Sequence, residues 1–451
     1  MSEDLFGPIF VPAKLRGSVD GRAWLQAMLD AEGALAAAEA QVGLIPAEAA
    51  EAIAAHCDAD LFKPDEIGAA ARAAGNPVPT LVRALTEEVS KTSEEAARHV
   101  HWGATSQDIL DTAAMLVARR AIGLILAGLD GVAAACARLA DEHRATLIAG
   151  RTILQQALPT TFGLKAAGWL VAVIEARRRL LDVRSSGLAA QLGGAAGTLA
   201  SLGPNGTRVL GEFARKLGLA EPVVPWHTAR LRVAELGGAL SSCAGVMHKL
   251  ALDVILMAQT EIAEVTEPPG KGRGGSSTLP HKRNPVLSVT AAACARRVYQ
   301  LAGTMQAAMD QEHERAAGAW HAEWEALSDA LALTGGAVVA MREATEGLEV
   351  RPERMRENLG ATGGLLLAEH VTTLAAEKLG RLRAHELVET ASRRTLDDGC
   401  SFREELRAET ALREALPGGE IDTALDPVGY LGSADAFVDR ALELYREGGA
   451  A

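Results

Sequence analysis

The longest apolar patterns in this chain have the spacing of helices. Between Ala234 and Val265, apolar residues recur at alternating intervals of four and three, at Leu236, Leu240, Cys243, Met247, Leu250, Val254 and Met257. This spacing puts one apolar seam along a helix of roughly 48 Å, at about 1.5 Å per residue. The other side of this helix is also apolar or small, so we expect helices all around it, some of them from neighbouring subunits.

Three further long segments, 108–143, 160–184 and 285–309, have helical patterns, whereas the chain before and after them alternates short helices with breaks. We therefore predict an all-α fold with a long central helical bundle and two smaller helical caps. The predicted divisions are an N-terminal helical domain (1–107), a central long-helix bundle domain (108–344) and a C-terminal helical domain (345–451).

Composition agrees with helices. Of the 451 residues, 48% are hydrophobic, mostly alanine and leucine, and only 4% are aromatic. Long tracts are also poor in β-branched residues, so helix propensity is high, and we expect little or no sheet.

Charge and end sequences limit the partners and the location. The formal net charge of -13 repels polyanions, and no basic stripe offsets it, so nucleic acid is not expected as a partner. The first 23 residues lack the features of a signal peptide, and no run of about 18 uncharged apolar residues could span a bilayer. A cytoplasmic protein without a membrane partner is expected.

The five cysteines and eleven histidines suggest no metal or redox site. The cysteines are odd in number, far apart and never in a CxxC pair, so we interpret them as small core residues. Glu95, His99 and His101 are close in sequence but make a weak ligand set. We predict that the protein needs no metal and no other cofactor.

The segment 275–285, GSSTLPHKRNP, carries the most informative residues. Asn284 suits a helix N-cap and Pro285 suits the first helical position, so the free N–H groups of the next helix would favour an anion. Lys282 adds a positive charge, and a serine held there could act as a base while the glycines let the loop close. A mobile linker before a well-capped helix is the plain alternative.

This segment resembles the GSSxMPxKxNP signature of the fumarase/aspartase superfamily, with Leu279 in place of the methionine. The resemblance implies that Ser276 is the catalytic base and that Lys282 and Asn284 bind substrate carboxylates, with Ser277 as a further substrate contact. It also implies a homotetramer in which different subunits contribute to each active site.

Two other segments resemble active-site stretches of the same superfamily. HWGATSQD (101–108) puts the Thr105 and Ser106 hydroxyls at the start of a long helix, where they would bind a second carboxylate, with His101 as a substrate contact or a packed histidine. GRTILQQALPTTFG (150–163) adds Gln155 as a substrate contact. Adenylosuccinate lyases have a histidine where this chain has Ile153, which cannot transfer a proton.

Along its whole length the chain is similar to the 3-carboxy-cis,cis-muconate cycloisomerase branch, which also lacks that histidine. Matching stretches include GNPV (75–78), GGAAGTLA (193–200), PWHT (225–228), QEHER (311–315), WHAEW (320–324), DP (426–427) and YLG (430–432). The resemblance implies closure of 3-carboxymuconate to 4-carboxymuconolactone, a step of aromatic catabolism through β-ketoadipate, with Ser276 and Lys282 as the catalytic residues.

Two alternatives remain open. Leu231 replaces an aspartate common among relatives, and together with Leu279 it allows a β-elimination lyase acting on a substituted succinate, of the nitrosuccinate or adenylosuccinate type. A non-catalytic helical scaffold is the second alternative. A nucleotide phosphate cradle at 270–275 is disfavoured because the GxxxxGK[ST] order is missing.

Overall fold

A computed structural model describes residues 5–270, 272–275, 278–279 and 281–448. Within these residues helices predominate, which confirms the predicted all-α class. The chain forms two compact units: the first consists of Met1–Asp130, Glu175–Ala251 and Leu287–Arg342, and the second of Gly131–Ile174, Leu252–Val286 and Glu343–Ala451. The three-part division made from the sequence stays a prediction.

The N-terminal part of the first unit is built from short helices around one longer helix. They are α1 (Gly7–Phe10), α2 (Ala13–Arg16), α3 (Gly21–Gln41), α4 (Ala47–Ala55), α5 (Pro64–Ala71), α6 (Val78–Ser90) and α7 (Glu94–Ala97). The Asp20 side chain caps α3 by accepting a hydrogen bond from the Ala23 amide at 2.8 Å. Helix α3 packs against α4, so its inner face is buried.

The next six helices are α8 (Ser106–Glu142), α9 (Phe162–Asp182), α10 (Gly206–Leu217), α11 (Leu231–Met257), α12 (Val286–Ala307) and α13 (Ala319–Glu346). Helices α8, α9, α11 and α12 lie close to the four predicted long segments, whereas α10 and α13 were not predicted. All seven residues of the predicted apolar seam on α11 are buried. Helix α11 ends at Met257, eight residues before the predicted end at Val265, and Ala263 then adopts a left-handed φ of 52°.

Four short strands interrupt the helices in the described residues. β1 (Leu147–Thr152) and β2 (Gln155–Thr161) form an antiparallel hairpin, and β3 (Val265–Thr266) pairs with β4 (Glu349–Val350). Both sheets have only two strands, in agreement with the expectation of little sheet.

The C-terminal helices of the second unit enclose their own apolar core. They are α14 (Pro352–Leu359), α15 (Ala368–Leu379), α16 (Arg381–Asp398), α17 (Phe402–Ala408), α18 (Thr410–Ala415), α19 (Glu420–Ala424) and α20 (Ala434–Gly448). The core side chains come from α15 to α19, and Phe402, Leu406 and Leu412 are fully buried among them. Burial of side chains of this size is the main force that holds short helices together.

Two helices, Ser106–Glu142 and Leu231–Met257, have the length and hydropathy of a membrane span. Buried residues make up 61% of the apolar stretch in the first helix and 44% in the second. Core helices of soluble proteins can have the same length and composition. These two properties therefore do not distinguish a helix in a protein core from a helix in a membrane.

All five cysteines are free thiols. Cys136, Cys243 and Cys294 are buried, as predicted, and Cys57 is partly buried. Cys400 is exposed because it lies in the loop after α16, so its interpretation as a core residue was wrong.

Candidate active site

The segment 101–108 leads directly into α8 and is tightly fixed in the first unit. His101 and Gly103 have left-handed φ angles of 60° and 68°. A Cβ atom on Gly103 would lie 2.5 Å from a Leu202 methyl group, so only glycine fits there. Thr105 and Ser106 are half-buried, and Ser106 is the first residue of α8. Their hydroxyls therefore lie at a helix N-terminus, where anions are favoured.

Asp108 anchors this helix start. Its carboxylate is fully buried and accepts hydrogen bonds from four donors. His227 Nε2 lies 2.7 Å away, and the backbone amides of Gly193, Gly194 and Thr105 each lie 2.9 Å away. The bond to the Thr105 amide is half of a capping box. Asp108 is therefore a structural anchor, with its charge satisfied by fixed donors.

A buried ion-pair network lies one turn further along α8. Arg230 donates two hydrogen bonds to Asp111, at 2.7 and 3.0 Å, and two to Glu323, one from Nε to Oε1 at 3.0 Å and one from Nη2 to Oε2. Trp320 Nε1 also donates to Asp111, at 3.0 Å. Burial by itself lowers the pKa of Arg230, but its two carboxylate partners outweigh burial and raise that pKa above the usual value. Removing one partner of such a network would typically cost about 3–5 kcal/mol.

Arg315 holds the Thr105 hydroxyl. Its Nη1 donates to Thr105 Oγ1 at 2.9 Å, and its Nη2 donates to the Ala195 carbonyl at 3.0 Å. The loop that carries Arg315 is itself fixed, because Thr228 Oγ1 donates to the His313 carbonyl at 2.9 Å. The orientation of the threonine hydroxyl is thus set by an arginine far away in sequence.

His101 forms a close pair with a buried carboxylate. Its Nδ1 lies 2.6 Å from Glu32 Oε1, and the side chains of His101 and Glu32 are 18% and 1% exposed. Burial lowers the pKa of His101, but the charge and hydrogen bond of Glu32, with a smaller effect of Asp108, raise it above its usual value. One ring nitrogen of His101, Nδ1, is therefore occupied by the hydrogen bond to Glu32, and the Glu32 charge favours the protonated imidazole.

In the second unit, the signature loop is closed at its base. Asn284 donates to the Gly274 carbonyl from its backbone amide at 2.9 Å and from Nδ2 at 3.2 Å. Gly274 has a φ of 68°, and a Cβ there would lie 2.7 Å from the Asn284 carbonyl. Lys282 is exposed, and the following helix begins at Val286. Ser276 and Ser277 lie outside the described residues.

A cavity of about 480 Å³ lies against the base of this loop. Its lining includes Asn284 together with three arginines and a histidine, which are Arg273, Arg283, Arg351 and His281. Arg273 pairs with Glu343 at 2.5 Å. The cationic side chains make the surroundings of the loop suited to a negatively charged ligand.

The hairpin β1–β2 presents Gln155 near an exposed tip. The two tip residues, Ile153 and Leu154, are 96% and 75% exposed. Both have left-handed φ angles, of 50° and 66°. At the base of the tip, Arg151 makes a two-point ion pair with Glu264, at 2.7 and 3.0 Å. Since Glu264 directly precedes β3, this pair ties the hairpin to the strand that leads into the signature loop.

The predicted site residues thus fall into two sets. His101, Thr105 and Ser106 share one segment of the first unit, whereas Gln155, Lys282 and Asn284 belong to the second unit. The residues that support the first set were not predicted: they are Glu32, Asp108, His227, Arg230 and Arg315. Most lie in or beside the matching stretches HWGATSQD, PWHT and QEHER, which were the available signal, but nothing in the sequence paired Glu32 with His101. In the described part of the chain, no group of three or more His, Cys, Asp or Glu side chains could hold a metal ion.

An all-α fold with two hydroxyls at the start of a long helix, and with arginines around a cavity beside a glycine-rich loop, suits an enzyme that acts on carboxylates. Residues 12–299 match the family described as Lyase, and residues 364–441 match the family described as Adenylosuccinate lyase C-terminus. The chain belongs to the lyase family of the fumarase/aspartase superfamily.

Relatives with different activities are similar over nearly the whole chain. The 3-carboxy-cis,cis-muconate cycloisomerase of Bradyrhizobium diazoefficiens is 47% identical, over 97% of each chain. The nitrosuccinate lyase of Streptomyces davaonensis is 44% identical, over 97% of this chain and 94% of its own. The crystal structure of the 3-carboxy-cis,cis-muconate lactonizing enzyme from Pseudomonas putida has a TM-score of 0.92 and 42% identity, over 99% of each chain.

Proposed function

We propose that this protein is a cofactor-free cycloisomerase that closes 3-carboxy-cis,cis-muconate to 4-carboxymuconolactone, as part of aromatic catabolism. The observation that carries the proposal is 47% identity to a cycloisomerase over 97% of both chains. Ile153 at the exposed hairpin tip supports it, because an adenylosuccinate lyase would have a proton-transferring histidine there.

The reaction adds one substrate carboxylate oxygen to a carbon of the double bond and a proton to the adjacent carbon. The substrate enters with three carboxylates and leaves with two and a lactone, so one proton is taken up. Negative charge builds on the carboxylate next to the protonated carbon. Donors that are fixed before the reaction lower the barrier, because they need no reorganisation.

Each predicted residue has a part in this chemistry. Ser276 transfers the proton, and Lys282 and Asn284 hold the carboxylate on which charge builds. Thr105 and Ser106 bind a second carboxylate at the N-terminus of α8, where the Arg315 and Asp108 contacts fix the helix start. His101, Gln155 and Ser277 are further substrate contacts.

A lyase that releases fumarate from a substituted succinate is the second candidate, favoured by 44% identity to a nitrosuccinate lyase. The test presents purified protein with 3-carboxymuconate and, separately, with nitrosuccinate. Loss of the ultraviolet absorbance of carboxymuconate supports the cycloisomerase. Fumarate release from nitrosuccinate alone would overturn it, and binding of either compound without turnover would indicate a non-catalytic scaffold.

The same proposal includes a homotetramer with shared active sites, located in the cytoplasm. Exposed apolar side chains support the tetramer. They lie at the hairpin tip and on two long helices, where Leu252 is 42% and Val289 is 51% exposed in a single chain. Isolated exposed apolar residues are common, but a strained hairpin tip with two of them suits an interface. Sedimentation showing a stable monomer at micromolar concentration would contradict the tetramer.

A further inference from the structure

We propose that Glu32 is a positioning residue for His101: it holds the imidazole by Nδ1, so that Nε2 donates a hydrogen bond to a substrate carboxylate. This inference rests on the proposed function for the identity of the substrate. The pairing itself is a property of the ligand-free protein. It involves a side chain on α3 that no segment resembling an active-site signature contains.

The geometry assigns different roles to the two ring nitrogens. His101 Nδ1 lies 2.6 Å from Glu32 Oε1, a short charge-assisted hydrogen bond. An ionised carboxylate only accepts, so Nδ1 carries the proton. In the part of the chain that the structure describes, His101 Nε2 has no hydrogen-bond partner, and the side chain keeps 18% exposure. The bond from Nδ1 to Glu32 thus fixes the orientation of the ring and the direction in which Nε2 points.

The buried carboxylate of Glu32 favours the protonated form of His101. Glu32 is 1% exposed, and among the described residues its second oxygen, Oε2, has no hydrogen-bond partner. A buried carboxylate with a single neutral partner would be costly, whereas a protonated imidazole balances its charge. His101 as an imidazolium has a donor on each nitrogen, and the Nε2 donor remains for a ligand.

The other acidic groups near the pair do not compete for His101. Asp108 is committed to His227 and three backbone amides. Glu39, seven residues after Glu32 on the same helix, is fully buried, and burial followed by the charge of Glu32 raises its pKa to about 9, so it is neutral. The Cys57 thiol also faces Glu32, and burial raises its pKa to about 12. One charged carboxylate therefore faces one histidine.

The backbone supports a functional role for His101. Its φ of 60° is left-handed, and it lies two residues before Gly103, which is also left-handed. For a residue other than glycine such a conformation is unfavourable, and it persists where the surrounding structure enforces it, often at functional sites. His101 lies in the turn that leads into α8, four residues before Thr105 and five before Ser106, the proposed carboxylate contacts.

The experiment compares Glu32→Gln with Glu39→Gln, a matched control on the same buried face of α3. The first readout is the pKa of His101 in the ligand-free protein, from hydrogen–deuterium exchange at the imidazole carbon followed by mass spectrometry. It should fall in Glu32→Gln and stay unchanged in Glu39→Gln. Sedimentation and melting temperature establish that both variants keep the native assembly.

The second readout is steady-state kinetics with 3-carboxymuconate. Because the proposed Nε2 bond exists in every bound state, Glu32→Gln should raise KM roughly 10- to 100-fold, as expected for a hydrogen bond to a charged group, and change kcat little. Glu39→Gln should keep both constants. If Glu32→Gln does not fold, Glu32→Asp is used instead, because its carboxylate lies one methylene further from His101. The same two readouts apply, with smaller changes in the His101 pKa and in KM.

The two readouts separate the failures. A His101 pKa that does not fall in Glu32→Gln overturns the pairing, and a fallen pKa with unchanged KM reduces it to a structural contact and also overturns the proposal. If the pKa falls but the wild type does not turn over carboxymuconate, the proposed function is wrong. In that case the same KM test moves to nitrosuccinate, where an unchanged KM would refute the role of Glu32.

Discussion

Replacing Glu39 by glutamine should make the protein more stable, and the gain should grow with pH. Glu39 is fully buried on α3, and in the described residues neither of its oxygens has a hydrogen-bond partner. Burial, and to a lesser extent the nearby charge of Glu32, raise its pKa from 4.5 to about 9. Glutamine has nearly the same shape and no ionisable group, so the substitution removes the titration and leaves the packing.

The magnitude follows from the two pKa values. Below pH 4.5 both folded and unfolded chains hold the proton, and the contribution of Glu39 to stability is fully present. Between pH 4.5 and 9 the folded chain keeps a proton that the unfolded chain has lost, so the free energy of unfolding decreases as pH rises. The decrease is about 1.4 kcal/mol per pH unit, or about 2.7 kcal/mol between pH 6 and pH 8.

Urea unfolding of wild type and Glu39→Gln at pH 6, 7 and 8, at one protein concentration, measures this effect. The stability difference between the two proteins should widen by about 2 to 3 kcal/mol over this range. A difference that stays constant within about 0.5 kcal/mol would show that Glu39 is paired or hydrated in the folded protein.

The other predictions concern the site. Ser276→Ala should lose roughly 100- to 10,000-fold in kcat while still binding a non-reacting tricarboxylate, and near-normal turnover would refute its role. Lys282→Ala should lose about 2 kcal/mol of affinity for that ligand by calorimetry, the low end for a charge partner because the lysine is exposed before binding. Gly274→Ala, at a φ of 68°, should reduce turnover with little change in melting temperature, and equal turnover would show that the bond from Asn284 does not position the loop. Arg315→Met should raise KM about tenfold, against an unchanged KM in Arg208→Met on the exposed surface of α10. Exhaustive chelation should leave turnover intact, and restoration by zinc or magnesium after a loss would contradict the absence of a cofactor.

The helices were predictable because their apolar spacing records their burial directly. The seam on α11 is buried at all seven positions, and the start of α8 lies two residues from its prediction. The predicted end of α11 at Val265 was too late: four of the eight residues from Ala258 to Val265 are polar, and the backbone turns at Ala263. Helix α13 was missed because its pattern is apolar on several sides, without a single seam.

For the site, the sequence identified the segments that carry the predicted residues, but not the side chains that hold those residues in place. Local patterns report helix starts and loops, and a resemblance adds the roles of Ser276 and Lys282. The partners of Thr105 and His101 come from positions 210 and 69 residues away in sequence. Such long-range contacts depend on how helices pack, and a single charged residue such as Glu32 on a helix gives no sign of whether it is paired or solvated.

The hairpin tip has a consequence for the substitutions that this fold can accept. Ile153 is 96% exposed and β-branched at a φ of 50°, a conformation in which such residues are strained. Its support lies below the tip, in the Arg151–Glu264 pair, and does not involve the side chain at 153. A histidine would be less strained at that position and would disturb no core contact. Within a single chain, the packing of the described residues therefore places no demand on the side chain at position 153, and substitutions there would leave the core and the Arg151–Glu264 pair intact.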